Sequence, residues 1–163
     1  MQMAALFGQI SGNGAFTKKC HRFFEQRLKT GKALLTTSCS DALEMSAILS
    51  NVGPGDEVIL PSFTFVSTAN AFALRGAKLV FADVEPGYPN LDPKAVAKLI
   101  TPATRAVVVV HYAGVACQMD EFVGLAEKHN LWLIEDAAHA IGASYRRRPL
   151  GSIGHMATFS FHE

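Results

Sequence analysis

Leu131-Trp132-Leu133-Ile134-Glu135-Asp136-Ala137-Ala138-His139 is the stretch on which the reading of this chain turns. Its first residues are almost continuously apolar, the pattern of a strand buried on both faces, which is typical of parallel sheets. The run ends in two carboxylates, two alanines and a histidine. A carboxylate at the carboxyl end of a buried parallel strand lies where open α/β sheets bind their ligands. Asp136 is partly desolvated there, which is costly unless a cationic or hydrogen-bonding group meets it. The plain alternative is an acid that caps the next helix or turn. Position alone leaves both readings open.

Outward from this strand, short apolar runs alternate with helix-like segments. Strands are expected at Ala33–Leu35, Glu57–Leu60, Lys78–Ala82, Arg105–Val110, Leu131–Glu135 and Ala157–Phe161. Helices are expected at Asp41–Leu49, Val66–Leu74, Pro93–Ile100 and Asp120–His129. Gly53-Pro54-Gly55-Asp56 reads as a turn, Gly76 as a helix stop, and Asp92 as an N-cap followed by proline at the first helical position. The alternation predicts an α/β fold, a mostly parallel sheet with helices on both faces. Met1–Phe7 reads as the tail of an amphipathic helix, and Arg146-Arg147-Arg148 as a solvated turn between strands. No internal repeat, low-complexity tract or interdomain linker stands out.

The composition fits one folded domain. The chain has 163 residues, 49% of them hydrophobic and 18% charged, with formal net charge +1. That balance carries no basic face for nucleic acid. Cys20, Cys39 and Cys117 make an odd count without paired spacing, which argues against a disulfide framework or a zinc site and fits a reducing cytoplasm. No histidine pair has metal-ligand spacing. No basic region followed by an apolar run marks a signal peptide, and the longest apolar runs, such as Ala106–Val110, are far too short to span a bilayer.

Three segments compete for chemistry with Asp136. Thr36-Thr37-Ser38-Cys39-Ser40-Asp41 opens a helix with hydroxyls, a place where helix N–H groups and dipole attract anions. Simple N-capping by Ser40 explains it equally. Pro61-Ser62-Phe63-Thr64-Phe65 follows a strand, and its two aromatics suit either a flat ligand ring or core packing. In Thr158-Phe159-Ser160-Phe161-His162, strand alternation puts Phe159 and Phe161 on one face and the hydroxyls on the other. No G-x-G-x-x-G follows a strand, and neither a Walker loop nor a G-x-S-x-G elbow is present, which weakens dinucleotide, nucleotide-triphosphate and α/β-hydrolase readings.

Taken together these segments resemble the DegT/DnrJ/EryC1/StrS sugar aminotransferases. The resemblance runs from Gly12-Asn13-Gly14-Ala15-Phe16-Thr17 to Ser160-Phe161-His162-Glu163. Its most specific pieces are Pro54–Ile59, Pro61–Phe65, Glu135–His139 and Phe159–His162. Within the family, His111–Cys117 and Phe159–Glu163 look closest to members that form dTDP-4-amino-4,6-dideoxygalactose.

The resemblance implies a three-layer α/β/α architecture, the large domain of the aspartate-aminotransferase fold (PLP-dependent transferase type I), with residues 1–163 forming part of it and a C-terminal small domain outside. It implies pyridoxal phosphate, cycling with pyridoxamine phosphate, as cofactor. Asp136 would pair with the pyridinium nitrogen, His139 with the ring's phenolic oxygen, and Phe65 would stack on the ring. Cys39, where many members carry glycine, would hold the phosphate together with Ser40 and Ser160. The implied reaction moves an amino group from glutamate to a nucleotide-linked 4-keto-6-deoxy sugar in a cytoplasmic homodimer, with no nucleic-acid or membrane partner and no metal. In the family a lysine within two residues of the last motif holds the cofactor covalently. This sequence stops at Glu163, before that position, and none of its eight lysines stands in a motif to replace it. The expectation is that these 163 residues alone do not transaminate, and that exposed apolar surface drives self-association or instability. A dehydratase branch, with histidine for that lysine, and a non-catalytic remnant are the competing readings.

Overall fold

The computed structural model describes residues 6, 8 and 12–162. The expected helix tail at Met1–Phe7 lies outside them apart from Leu6. The chain divides into two compact units, Met1–Thr37 and Ser38–Glu163.

In the first unit, Gly14 precedes helix α1, Ala15–Leu28, which ends at Lys29 in the left-handed conformation (φ 55°). The expected strand at Ala33–Leu35 does not form. Its amides are taken by side chains of α1 instead of by a neighbouring strand. The Ala33 N–H donates to Glu25 Oε1 over 3.3 Å, and the Leu35 N–H donates to His21 Nε2 over 3.0 Å.

The second unit is the α/β body. Its helices are α2 (Cys39–Leu49), α3 (Val66–Ala73), α4 (Pro93–Leu99) and α5 (Met119–His129). Its strands are β1 (Glu57–Pro61), β2 (Lys78–Ala82), β3 (Thr104–Val110), β4 (Trp132–Asp136), β5 (Ser144–Tyr145), β6 (Arg148–Pro149) and β7 (Met156–Thr158). Five strands form an all-parallel sheet in the order β2-β1-β3-β4-β7. Alternation along the strands sends side chains to two separate cores. Ile59, Val107, Val109 and Leu133 pack with Val96 of α4 and Met119 and Phe122 of α5. Val58, Leu60, Val108 and Ile134 pack with Leu43 and Ala47 of α2 and Phe72 of α3. The three-layer expectation therefore holds, and the runs Val58–Leu60, Ala106–Val110 and Trp132–Ile134 are apolar because both faces of the central strands are covered.

Local chemistry explains the element ends. Asp92 accepts from the Lys94 N–H at 2.9 Å and caps α4, with Pro93 opening it. Asp56 accepts from the Gly53 N–H at 3.0 Å and closes the turn into β1. Glu57 then bonds Lys78 Nζ at 2.7 Å and the Thr101 hydroxyl at 2.6 Å, tying the start of β1 to β2 and to the loop after α4. These donors hold the Glu57 carboxyl below its ordinary range, the Lys78 contact first. β5 and β6 form a hairpin over Arg146 (φ 47°) and Arg147 (φ 68°), a primed turn matching the sheet's twist. The arginine cluster is thus the turn its sequence suggested.

The last expected strand is shorter than Ala157–Phe161. β7 pairs with β4 from Ile134↔Met156 to Asp136↔Thr158, where β4 ends. Beyond that point no neighbour continues the ladder, so alternation fails. Phe159 turns onto the α4/α5 core while Phe161 is 63% exposed. Among the described residues, no helix is long and apolar enough to cross a membrane.

Candidate active site

The strand order reverses direction between β1 and β3: β1 leads to β2 on one side, and the chain then returns to β3 on the other. Such a switch point opens a crevice at the carboxyl ends of the strands. A cleft of about 400 Å³ lies there. Ser62–Phe65 after β1, Val110–Tyr112 at the end of β3, and Asp136, Ala138 and His139 at the end of β4 line it.

Asp136 is 4% exposed. Its Oδ2 accepts the Thr68 hydroxyl at 2.7 Å, and its Oδ1 accepts the Ala138 N–H at 3.2 Å. The Thr68 hydroxyl is paired in turn with that of Thr64 at 2.8 Å. Two donors reduce the cost of burying this carboxylate yet leave acceptor capacity on both oxygens. No lysine or arginine is among the described lining residues, so the cleft presents a negative acceptor without a cation beside it. The capping role weighed for Asp136 is met in a small way, by the turn bond to Ala138.

His139 is exposed, and its Nδ1 accepts the Ala113 N–H at 3.3 Å. In the neutral ring the proton is therefore on Nε2, which is left able to donate. Ala113 sits at φ 51° within the 3-10 turn Tyr112–Gly114. Tyr112 packs edge-on against both His139, at 5.6 Å between centroids, and Phe63, at 5.0 Å. Phe65, the residue before α3, is 74% exposed at the cleft. A large ring left this open to water is available to cover a ligand.

Ser38, not Ser40, caps α2: its hydroxyl accepts the Asp41 N–H at 3.0 Å. Cys39 and Ser40 thus occupy the first turn, where N–H groups have no acceptor within the helix. Ser40 Oγ pairs with Ser67 Oγ of α3 at 2.7 Å, joining the N-termini of the two helices. Burial raises the Cys39 thiol; the neighbouring Thr158 hydroxyl pulls it down, and the Asp136 charge raises it further. The net shift is upward, so the thiol stays protonated at neutral pH. Thr158 Oγ1 is buried without a hydrogen bond of normal geometry.

Of the six residues singled out from the sequence, Phe65, Asp136 and His139 therefore line one cleft. Ser40 and Cys39 are not among the lining residues: Ser40 pairs with Ser67, the neighbour of Thr68, and Cys39 lies within electrostatic reach of Asp136. Ser160 is not among the lining residues, and its hydroxyl accepts the His162 N–H at 3.1 Å. Sequence reasoning passed over Thr68, Tyr112 and the buried pair His111–Glu135. For Thr68 a signal exists, since Thr64 and Thr68 stand four apart across the start of α3, one turn of helix.

Comparison with known proteins follows the same lines. GDP-perosamine synthase of Caulobacter vibrioides is 41% identical over 152 residues, covering 93% of this chain and 41% of that protein. An aminotransferase structure from Psychrobacter cryohalolentis superposes with a TM-score of 0.93 at 35% identity, covering 98% of this chain and 41% of the other. A Streptococcus pneumoniae protein assigned as a sugar aminotransferase, solved in its PLP form, superposes with a TM-score of 0.89 at 30% identity, covering 94% and 44%. The chain thus spans about two-fifths of the length of these relatives. Residues 2–163 match the family as a whole, and the chain belongs to the DegT/DnrJ/EryC1/StrS aminotransferase family.

Proposed function

We propose that this chain provides the cofactor-binding part of a sugar aminotransferase that uses pyridoxal phosphate. The observation that carries the reading is Asp136: a nearly buried carboxylate at the switch-point cleft, held by two donors, with acceptor capacity to spare and no cation among the described lining residues. A protonated ring nitrogen is the partner that such a site lacks. When bound, the cofactor supplies an electron sink for the carbanion formed at the substrate carbon.

The residues present fit the group. Asp136 keeps the ring nitrogen protonated by stabilising its charge. Phe65, which lines the cleft, would cover one face of the ring and exclude water there. His139 donates from Nε2 to the phenolic oxygen, its tautomer held by the Ala113 N–H. The N–H groups of Cys39 and Ser40, at the positive end of α2, would take the phosphate with the Ser40 hydroxyl beside them, and Ser160, which does not line the cleft, would add to it only by turning its hydroxyl from the His162 N–H. The buried Thr158 hydroxyl beside Cys39 marks a polar spot at the same sheet edge.

In this reading the amino donor is glutamate and the acceptor is a nucleotide-linked 4-keto-6-deoxy sugar. The narrower assignment, a dTDP-linked sugar, rests on the sequence of His111–Cys117. The whole enzyme works as a homodimer in the cytoplasm. Among the described residues no lysine lines the cleft, so the 163 residues hold the cofactor without a covalent bond and do not transaminate by themselves.

Titration with pyridoxal phosphate, followed by borohydride treatment and intact-mass measurement, tests this. Saturable binding with no covalent pyridoxyl label is expected. Absence of binding contradicts the cofactor reading, and a stable label on a lysine contradicts the non-covalent one.

A further inference from the structure

Glu135 precedes Asp136, so on a strand its side chain leaves by the opposite face, away from the α2/α3 layer. It is fully buried, as is His111. Each Glu135 oxygen takes two donors. Oε1 accepts the N–H groups of Ile153 (2.7 Å) and Gly154 (2.6 Å); Oε2 accepts the Gly151 N–H (2.8 Å) and bonds His111 Nε2 (2.9 Å). Three of the four donors come from the turn that leads into β7.

His111 is equally saturated. Its N–H donates to the Asp136 carbonyl at 3.0 Å, and its carbonyl accepts the Gly114 N–H at 3.1 Å. Its Nδ1 accepts the Cys117 N–H at 3.2 Å, which fixes the proton on Nε2 and makes Nε2 the donor to Glu135. Every polar atom of His111 thus bonds one of the segments bordering the cleft or the carboxylate behind it. Burial alone would raise the Glu135 carboxyl, but the His111 N–H and the backbone N–H groups of Gly154 and Gly151 outweigh it and hold it below its ordinary range. The two glycines of the turn leave no room for a side chain. Gly151 stands at φ 84° with the Phe159 ring occupying the space a Cβ would need, and a Cβ on Gly154 would meet the Leu133 carbonyl at 2.7 Å.

Resting on the cofactor reading above, we infer that Glu135 and His111 are positioning residues: they couple the Gly151–Gly154 turn to the Tyr112 wall of the cleft, and breaking the pair weakens the cleft's hold on its ligand. Within this network Glu135 is the link that touches both sides. A neutral isostere cannot replace it, because glutamine offers one acceptor oxygen and turns an NH2 towards two of the four donors.

Three variants of the 163-residue chain test this: Glu135→Gln, His111→Leu and His111→Gln. The last keeps an acceptor for the Cys117 N–H and a donor for Glu135. Amide hydrogen exchange is read at Cys117 and Ile153, with Val108 in the core of β3 as control, and pyridoxal phosphate affinity is read at a temperature where Val108 stays protected. Glu135→Gln and His111→Leu are expected to speed exchange at both Cys117 and Ile153, and to weaken pyridoxal phosphate binding about tenfold, the loss of one charge-assisted bond. His111→Gln is expected to restore both. If Glu135→Gln does not fold, His111→Leu, which leaves Glu135 its three backbone donors, decides. Exchange that accelerates only on the mutated side overturns the coupling. Unchanged affinity in folded variants overturns the positioning role. Failure of the unmodified chain to bind pyridoxal phosphate contradicts the cofactor reading and the ligand half of this inference, and the exchange data still judge the coupling.

Discussion

The Thr68 hydroxyl donates to Asp136 Oδ2 across 2.7 Å, fastening the first turn of α3 to the end of β4. Both groups are buried, so this bond is formed away from water. Thr68→Val keeps the shape and removes the donor. We expect a loss of ~1–3 kcal/mol, the cost of depriving a buried charged acceptor of one partner. Urea denaturation measures it. A variant as stable as the parent would mean that Asp136 is held by something other than Thr68.

Gly151 and Gly124 make opposite predictions from the same substitution. Gly151→Ala forces a left-handed alanine into the Phe159 ring, and a loss of ~2–4 kcal/mol is expected. Gly124 lies exposed inside α5 with nothing within 4 Å of a Cβ, so Gly124→Ala should gain ~0.5–1 kcal/mol from helix propensity. Thermal melts of the two variants side by side check both signs.

Much of the sheet is legible in the amino-acid sequence. Lys78–Ala82 is bounded as expected, with Gly76 (φ 84°) turning the chain before it and Asp83 following its apolar run. The central strands are legible because burial on both faces gives each an apolar run, Val58–Leu60, Ala106–Val110 and Trp132–Ile134. Ala33–Leu35 misleads because an apolar triplet says nothing about whether a neighbouring strand exists. Phe159–Phe161 misleads for a related reason: alternation predicts facing only while a partner continues the ladder. In the cleft, Asp136, His139 and Phe65 are legible from their place after strands. Glu135 is not, since three of its partners are backbone N–H groups that carry no sequence signature beyond the spacing of Gly151 and Gly154.

Acid should destabilise the protein through its bonded carboxylates. The folded-state pKa of Glu135 lies below the ordinary 4.5, and that of Glu57 does too. Their stabilisation is present above the unfolded value and lost as pH falls through the folded one. Melting temperature should thus hold steady near neutrality and fall in the range below 4.5. In Glu135→Gln that acid slope should be shallower. An equal slope in the variant would show that Glu135 is not titrating out of a bonded state.

The three cysteines should react in a set order. Cys20 is exposed and should be alkylated first. Cys39 should follow slowly, its thiol raised by burial. Cys117 is buried, donates to the Val110 carbonyl at 3.2 Å, and is pushed up to about 12, so it should react only on unfolding. Mass spectrometry after timed iodoacetamide exposure orders them. Early labelling of Cys117 would contradict the packing of the His111–Cys117 segment.

The central claim is that Asp136 meets the ring nitrogen of pyridoxal phosphate. Its most direct test is the dissociation constant of that cofactor for the chain and for Asp136→Ala, measured beside that of a phosphorylated benzaldehyde analogue that lacks the ring nitrogen. The account predicts that Asp136→Ala weakens pyridoxal phosphate about tenfold or more, as loss of a charge-assisted bond should, while binding of the nitrogen-free analogue changes little. Equal affinity of the parent and Asp136→Ala for pyridoxal phosphate would contradict it.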